Sequence, residues 1–432
     1  MAGTTFVAAS VADRARRRIT YRLLPYLFIL YIVAFLDRVN ISYAALEMTK
    51  DLGFTAEVMG FGAGIFFFGY CLLEIPGCLL VETWSARGWI ARIMISWGIL
   101  AVLMGFVHTA NHFYWLRFLL GAAEAGFFPG VIVYLSHWFR YEDRAKAMAM
   151  FMAAIPLSNV IGAPISGLIL GINWFGLAGW RWIFILEGAP AIILGVVTIF
   201  YLTDRPEQAK WLSAEEREWI THELEQEKLA KQSARQFRLW DALRHRELIL
   251  MVLGYFFAVT SGYGFILWLP TIIKEASGVS NLTVTLITAL PHCVALAAML
   301  FVGWSSDRTR ERRYHTALPM IAVGLGLLLS AITQNNVIIL VGMLCLAAAG
   351  VNSFLPAFWS LPTSYLTGSV AAFAIGLINS LGNLGGFTGP YVVGYLNTAT
   401  NSFYGGLLYL SLSAFLAASF ILMLRHGKEE SV

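Results

Sequence analysis

Long apolar segments separated by short polar stretches dominate the sequence. A helix needs about 20 predominantly apolar residues to cross a bilayer. Twelve segments approach that length: 23–44, 57–80, 90–108, 112–135, 146–170, 181–202, 248–271, 283–304, 315–333, 337–358, 365–390 and 403–424. A longer polar stretch, from Thr203 to Arg246, separates the sixth segment from the seventh. The pattern predicts an all-α membrane protein with twelve transmembrane helices in two sets of six.

The same pattern divides the chain into five parts. We expect a cytoplasmic tail over residues 1–22, a six-helix bundle over 23–202, a central cytoplasmic loop over 203–246, a second six-helix bundle over 247–425 and a short tail over 426–432. Within the central loop, the segment from Ser213 to Lys231 is predicted to form an amphipathic surface helix whose charges face water.

The composition is typical of a membrane protein and indicates which classes of partner the protein has. Hydrophobic residues make up 58% of the chain and charged residues 13%, against about 25% charged in soluble domains. The net charge of +4 arises in loops and tails, so we expect the lipid bilayer as a partner and no nucleic acid. The four cysteines fall in apolar segments, and no disulfide, metal or cofactor is implied: Cys71, Cys78, Cys293 and Cys345.

The distribution of basic residues predicts the orientation of the chain. Cytoplasmic loops carry an excess of lysine and arginine. One side of the predicted bundle has the N-terminal arginines, the central loop and most basic loop residues, among them Arg87, Arg92, Arg140, Arg144, Lys146, Arg308, Arg310, Arg312 and Arg313. The other side has little beyond Lys50, Arg181 and Lys274. Both termini are therefore predicted to be cytoplasmic.

A loop motif recurs at the same place in each half. Residues 77–82, between spans two and three, end in Glu82 and are followed by Arg87 and Arg92. Residues 303–308, between spans eight and nine, end in Asp307 and Arg308, with further arginines beyond. The motif resembles the cytoplasmic loop of the major facilitator superfamily, Gly-x-x-x-Asp-Arg, although the first copy is degenerate. The resemblance implies two halves that rock about a midplane site, with Glu82, Arg92, Asp307 and Arg308 latching the cytoplasmic side.

Charged residues within the spans are concentrated in the first half. Ionisable groups inside a membrane are costly, and they usually face a cavity or a partner. The first half has six: Asp37, Arg38, Glu74, Arg117, Glu124 and Glu187. The second half has essentially none. Ion coupling and anion binding are therefore predicted to lie mainly in the first half.

Depth along the helices predicts which of these groups meet. Asp37 lies about 7 residues, and Arg117 about 5 residues, below the outer ends of their spans, so the two are expected at similar depth. Glu124 is two turns beyond Arg117 on the same face. Asp37 and Glu124 are candidates either for structural ion pairs or for groups that exchange protons. Arg38 is the best candidate to hold an anion, because a guanidinium binds a carboxylate in two-pronged geometry.

Other polar groups within the spans have secondary roles in this prediction. Glu74 is expected to be a structural partner for basic loop residues, and a structural role is also favoured for Glu187 and His292. The second half offers neutral groups on one helix face, Asn379 and Asn383, which are four residues apart. Trp359 and the hydroxyl of Tyr70 are further candidates for substrate contact.

Several runs resemble a narrower family, the anion:cation symporters of the major facilitator superfamily. Asp37-Arg38-Val39-Asn40 resembles the signature of its first helix, and the run from Arg117 to Gly130 that of its fourth. The runs from Gly179 to Gly188 and from Leu377 to Phe387 resemble its sixth and eleventh helices. The match covers nearly the whole chain.

The resemblance implies uptake of small organic anions together with protons. Members of the family carry sugar acids such as galactonate and hexuronates, tartrate, phthalate or hydroxyphenylacetate. By position, Asp37 and Glu124 match the protonated carboxylates, Arg38 the substrate-carboxylate arginine and Arg117 the arginine that pairs with the first-helix acid. Tyr70 and Asn383 match positions near the substrate.

We therefore predict a monomeric proton-coupled symporter of organic carboxylates in a bacterial inner membrane. Two alternatives share the fold: an anion facilitator or exchanger without proton coupling, and a multidrug exporter. An enzyme is not expected, because the sequence offers no nucleophile–base pair, metal cluster or phosphate-binding loop.

Overall fold

The protein was analysed as a computed structural model that describes residues 10–83, 85–232, 246–362 and 368–424. The first half of the described chain contains eight α-helices: α1 (Val11–Leu52), α2 (Ala56–Thr83), α3 (Ala86–Met104), α4 (Ala110–Glu124), α5 (Phe127–Ser136), α6 (Tyr141–Met152), α7 (Ala154–Leu170) and α8 (Gly179–Tyr201). Two short 3₁₀ helices cover Trp174–Gly176 and Pro206–Gln208.

The second half repeats this plan after a helix of the central loop. The loop helix is α9 (Ala214–Gln232), which confirms the predicted surface helix. The following helices are α10 (Arg246–Ser277), α11 (Asn281–Thr309), α12 (Arg313–Ile332), α13 (Val337–Phe358), α14 (Gly368–Asn383), α15 (Gly385–Thr400) and α16 (Tyr404–Leu422). Eleven of the segments within the described ranges are long and apolar enough to cross a membrane. The twelfth predicted span is the pair α14 and α15, each 16 residues long.

Span four is broken directly after Glu124. Gly126 is the N-cap residue immediately before α5, and its φ of +83° lies in the left-handed region. Glycine reaches this region without the steric penalty that a Cβ brings. The break separates α4 from α5, so that Glu124 is the last residue of α4.

The outer ends of the two halves are packed against each other. The backbones of α2 and α15 approach so closely that a Cβ on Gly60 would collide with the Pro390 carbonyl, and one on Gly394 with the Ala56 carbonyl. The Asn281 amide donates to the Glu47 carboxylate at 3.0 Å, also across the halves. Small residues permit such close helix contacts in membranes. These contacts join the two halves at the end that the basic residues predict to face outward.

On the side predicted to be cytoplasmic, ion pairs hold α9 against the first bundle. Arg18 of α1 binds Glu216 at 2.7 Å, and Arg140 binds Glu223 at 2.9 Å. Ser213 and Glu216 form a capping box, because the Ser213 N–H donates to Glu216 and the Glu216 N–H donates to the Ser213 hydroxyl. The central loop is thus anchored to α1 and to the connection between α5 and α6.

Candidate functional site

A cavity of about 120 Å³ lies between the two halves. Helices α1, α2, α6 and α7 of the first half face α10, α13 and α14 of the second across it. Its lining is largely aromatic and aliphatic, as is usual for small-molecule sites. The polar side chains of the lining come from both halves: Arg38, Tyr31, Tyr70, Asn159, Tyr255, Tyr263, Asn352, Asn379 and Asn383.

Arg38 is the charged group at the wall of this cavity. Its guanidinium forms a salt bridge with Glu124 and donates to the Tyr263 hydroxyl at 3.3 Å. The Arg38 side chain is 14% exposed, whereas that of Glu124 is 2% exposed. Arg38 therefore faces the cavity, with Glu124 behind it. The salt bridge brings Arg38, the predicted anion-binding group, into contact with Glu124, a predicted proton carrier. The roles themselves stay predictions.

Aromatic rings surround the guanidinium of Arg38. Its central carbon lies 5.2 Å from the ring centroid of Phe35, 5.5 Å from that of Tyr70 and 5.6 Å from that of Phe66. Such cation–π contacts favour the charged form of the group and fix its position. They leave hydrogen-bonding capacity free, and the Arg38 Nε has no partner among the described residues.

Asp37 is buried behind the cavity wall. One carboxylate oxygen accepts a hydrogen bond from the Asn40 amide at 3.1 Å, and the other lacks a partner within the described part of the chain. Asp37 is 1% exposed. Successive residues of a helix point about 100° apart, so that Arg38 faces the cavity while Asp37 faces the bundle.

Arg117 and Asp37 interact electrostatically, but no salt bridge joins them among the described residues, so the predicted direct pair stays a prediction. The Arg117 guanidinium donates to the Gly62 carbonyl at 3.3 Å, and it lines a smaller cavity of about 30 Å³ next to the main one. Helix α1 continues beyond the predicted span, to Leu52. Asp37 therefore lies about 22 Å from the outer end of its helix, and Arg117 only about 10 Å from the start of α4.

The same arithmetic explains why Glu124 meets the first helix. Glu124 lies about 21 Å along α4 from Ala110, level with Arg38 on α1. A sequence-based depth estimate that ends span one at residue 44 misses this, because the last eight residues of the helix are partly polar and extend beyond the apolar segment.

The residues of the second half that were predicted to contact the substrate line the cavity. Asn379, Asn383 and Trp359 all line it, as does Tyr70 from the first half. The Trp359 ring lies edge-on to Tyr255, with centroids 5.0 Å apart. Asn379, Asn383 and Tyr70 supply amide and hydroxyl groups without charge, so the cavity combines the Arg38 guanidinium with neutral hydrogen-bonding partners.

Glu74 makes its contacts across the halves, and the expectation that it would bind basic loop residues is wrong. The Asn379 amide and the Ser380 hydroxyl donate to it, the latter at 3.1 Å. Glu74 is 4% exposed. Because Asn379 also lines the cavity, a substrate that bound Asn379 would compete with Glu74.

The structure adds several polar lining residues that the sequence analysis did not name, and Asn159 is the least exposed of them. Asn159 of α7 lines the cavity and is 1% exposed, and its side-chain oxygen has no hydrogen-bond partner in the described residues. A buried amide oxygen without a partner is costly and is therefore available to a ligand. An asparagine in the middle of an apolar segment was the signal that could have found it.

The residues of the repeated loop motif lie away from the cavity. Arg92 stacks on Trp89 at 3.8 Å and donates to the Ala123 carbonyl at 3.4 Å. Asp307 binds Arg312 of the same half at 2.6 Å, and Arg308 stacks on Trp304. The side chain of Glu82 lies outside the described residues. A latch between the halves stays a prediction.

Two further ionisable residues are buried apart from the cavity. His292 of α11 is 4% exposed and Glu187 of α8 is 6% exposed. Glu187 accepts a hydrogen bond from Ser166 at 2.7 Å. In the described part of the chain, no cluster of three or more histidine, cysteine, aspartate or glutamate residues is arranged to hold a metal ion.

Two helical bundles with a cavity between them, lined by apolar side chains and by polar groups from both halves, are typical of a membrane transporter, and comparison with known proteins agrees. The sequence profile of the Major Facilitator Superfamily matches residues 27–390. A protein of Agrobacterium vitis named as a tartrate transporter is 48% identical over 406 residues, 93% of each chain. A protein of Acinetobacter baumannii named as a quinolone resistance transporter is 37% identical over 397 residues, 92% of this chain and 91% of that relative.

Solved structures share the fold. The xylose transporter XylE of E. coli in its inward open conformation superposes with a TM-score of 0.76 over 95% of this chain and 97% of that one, at 12% identity. The chain therefore belongs to the Major Facilitator Superfamily. It is a transporter of small organic molecules, not an enzyme, and an integral protein of the bacterial inner membrane.

Proposed function

We propose that the protein takes up small organic anions together with protons, as a monomer, by alternating access. The ion pair between Arg38 and Glu124 at the cavity wall is the observation that carries this proposal. A substrate carboxylate and the Glu124 carboxylate are alternative partners for one guanidinium. Protonation of Glu124 weakens its hold on Arg38, and an anion then takes its place.

The coupling proceeds through both buried acids of the first half. With the site open to the outside, Asp37 and Glu124 take up protons, and Arg38 and Arg117 become available to an anion. The loaded site is then nearly neutral, which lowers the electrostatic cost of moving it through the membrane. The halves rock, and the anion and protons leave to the cytoplasm.

The rest of the lining favours a small hydroxylated carboxylate. A volume of about 120 Å³ is smaller than the roughly 300–1,000 Å³ of sites for drug-sized ligands. Amides and hydroxyls from both halves suit the hydroxyl groups of a substrate such as tartrate, and a close relative is named for tartrate. We assign tartrate-like hydroxy acids as the substrate class, with sugar acids and aromatic acids as the other candidates.

Binding to the purified protein tests the substrate class. A ligand that binds the folded state alone raises the melting temperature by mass action. We expect tartrate to stabilise the wild type, and the effect to disappear in Arg38→Ala. Arg205→Ala, at an exposed arginine of the central loop, is the matched control and should keep the full shift. No shift with any organic acid, or an equal shift in Arg38→Ala, contradicts the proposal.

Drug export is the second candidate, because a relative 37% identical is named for quinolone resistance. The buried Arg38 argues against a cationic drug, but quinolones also carry a carboxylate. If the protein exports these drugs, cells that express it should accumulate less quinolone than cells without it. If it is a symporter, the same cells should accumulate tartrate. If a proton uncoupler leaves the rate of tartrate uptake unchanged, the protein is instead a facilitator or an exchanger without proton coupling.

A further inference from the structure

A second cavity, of about 510 Å³, lies on the side predicted to be cytoplasmic. Its walls are the N-terminal part of α1, the connection between α5 and α6, α6 itself and α9, which contributes Ile220. The second cavity shares no lining residue with the central one. Along α1, its residue Arg17 lies about 31 Å from Arg38. The proposed transport cycle therefore gives this second cavity no role.

The charged side chains of the second cavity are mostly basic. They are Arg16, Arg17, Arg140, Lys146, Asp13 and Asp143. Asp143 lies 3.4 Å from the guanidinium groups of both Arg16 and Arg140 and forms a salt bridge with each. Arg17 and Lys146 are exposed, and no salt bridge reaches either of them from any residue that the structure describes. The lining thus has a surplus of two positive charges, and two of its cations have no carboxylate partner there.

Next to these two cations, the surface of the protein becomes apolar. On α1, Tyr21 and Pro25 follow Arg17 at intervals of four residues, and so they lie on the same helix face. Both are exposed, Tyr21 by 69%. On α6, Met150 follows Lys146 at the same interval and is 45% exposed. Both helices therefore present a cation followed by exposed apolar side chains.

Depth along α1 places the cations at the level of the lipid headgroups. Tyr21 lies about 35 Å from Ala44, where the apolar segment ends, and the hydrocarbon core of a bilayer is about 30 Å thick. Tyr21 is therefore at the cytoplasmic membrane–water interface, where tyrosine is enriched. Arg17 lies one turn closer to the cytoplasm, and Lys146 is the first residue of the predicted fifth span. Their long, flexible side chains can reach the headgroup phosphates.

We propose that the second cavity binds the headgroup of an anionic phospholipid from the cytoplasmic leaflet, with Arg17 and Lys146 holding its phosphate. Basic pockets between transmembrane helices on the cytoplasmic side suit such headgroups. A soluble phosphate would match the two cations equally well, but only a lipid has acyl chains that cover the exposed Tyr21 and Met150. The site is separate from Arg38, and lipid binding here depends neither on the transported substrate nor on proton coupling.

Lipid binding to the purified full-length protein tests this site without any transport. Native mass spectrometry in a nonionic detergent counts the lipids bound during a titration. The two lipids compared are phosphatidylglycerol, which is anionic, and phosphatidylcholine with the same acyl chains, which is zwitterionic. We expect one phosphatidylglycerol to bind in preference to phosphatidylcholine. In the Arg17→Gln, Lys146→Gln variant its affinity should fall roughly thirtyfold, because each basic side chain near an anionic surface contributes about 1 kcal/mol, or about fivefold in Kd.

Two control variants separate the site from general effects of charge and damage. The Arg205→Gln, Lys210→Gln variant removes the same charge from exposed positions of the central loop that do not line the cavity, and it should keep the wild-type affinity. The Arg17→Lys, Lys146→Arg variant keeps both charges in the cavity and should bind phosphatidylglycerol as the wild type does.

Three results would overturn the proposal. One is an equal affinity for the two lipids, and another is an equal loss of affinity in the two glutamine variants. The third concerns glycerol phosphate, which has the phosphate ester of the headgroup but no acyl chains and should not displace phosphatidylglycerol at an equal concentration. Full displacement would mean that the cavity binds a soluble phosphate ester and that the acyl chains contribute nothing.

Discussion

Arg38 of α1 and Glu124 of α4 form an ion pair in which the arginine reaches the cavity and the glutamate is buried behind it. Arg38 is suited to bind a substrate carboxylate, and Glu124 loses its charge when it binds a proton. The ion pair links these two groups directly. In the proposed mechanism, this single contact makes anion binding depend on protonation.

Glu124→Gln should separate binding from coupling. A glutamine cannot release a proton and does not compete as an anion for Arg38, so substrate binding should persist and lose its pH dependence. Accumulation driven by a proton gradient should be lost, whereas exchange of external for internal substrate should continue. In proteoliposomes, an uptake assay measures the proton-driven accumulation and a counterflow assay measures the exchange. Glu142→Gln, at a carboxylate whose side chain is 78% exposed, is the control. Wild-type accumulation by Glu124→Gln would exclude Glu124 as a coupling group.

Asn159→Ala should weaken the binding of hydroxylated substrates. The free side-chain oxygen of Asn159 offers an acceptor for a substrate hydroxyl, and one such bond is worth about 1 kcal/mol, or roughly a fivefold change in Kd. Calorimetry with tartrate and with succinate, which lacks the hydroxyls, separates this effect from general damage. We expect a larger loss for tartrate. Ser158→Ala, at a hydroxyl that donates to the Ile155 carbonyl, should change neither. Equal losses for both acids would remove Asn159 from hydroxyl recognition.

A cross-link between positions 47 and 281 should stop transport reversibly. Glu47 and Asn281 are hydrogen-bonded across the closed outer ends of the halves, and alternating access requires these ends to separate. In a Glu47→Cys, Asn281→Cys variant, a short bis-methanethiosulfonate reagent, which joins the two thiols through disulfide bonds, should block uptake, and a reductant that cleaves these disulfides should restore it. Each single-cysteine variant should remain active under the same treatment. Full uptake by the cross-linked variant would mean that these ends do not open.

The docking of α9 should depend on pH through Glu216, which lies outside the membrane. Its burial opposes ionisation, but the hydrogen bond from the Ser213 N–H and the charge of Arg18 outweigh this and hold the pKa of Glu216 below its usual range. The stabilisation is therefore present above the ordinary glutamate pKa, about 4.3, and is lost as the pH falls through the lower pKa of the folded state.

Glu216→Gln tests this dependence. At neutral pH, the variant should melt a few degrees below the wild type, because the ion pair between the buried carboxylate and Arg18 is lost. The difference should shrink as the solution becomes acidic, since the wild-type group is then neutral as well. Melting curves across the acidic range measure it, with Glu215→Gln, a more exposed neighbour, as the control. A constant difference at every pH would contradict the role of the charge.

The sequence was sufficient for the fold because its signals are local. Apolar length and the basic loops predict the spans, and the charges of the first half lead to Asp37, Arg38 and Glu124. The breaks within the spans were not predicted, although Gly126 marks one of them. A single residue in the left-handed conformation does not change the hydrophobicity of the segment. The pairings were missed for a different reason. The contact of Glu74 with Asn379 depends on how the two halves meet, and the contact of Arg38 with Glu124 depends on where α1 ends.

Proton-driven accumulation tests the central claim most directly. Purified protein in proteoliposomes, with an acidic exterior and an alkaline lumen, should concentrate labelled tartrate above the external level. A proton ionophore should abolish the accumulation, and Arg38→Ala should lack it from the start. Tartrate that equilibrates to the external concentration, with or without the pH gradient, would contradict proton-coupled symport.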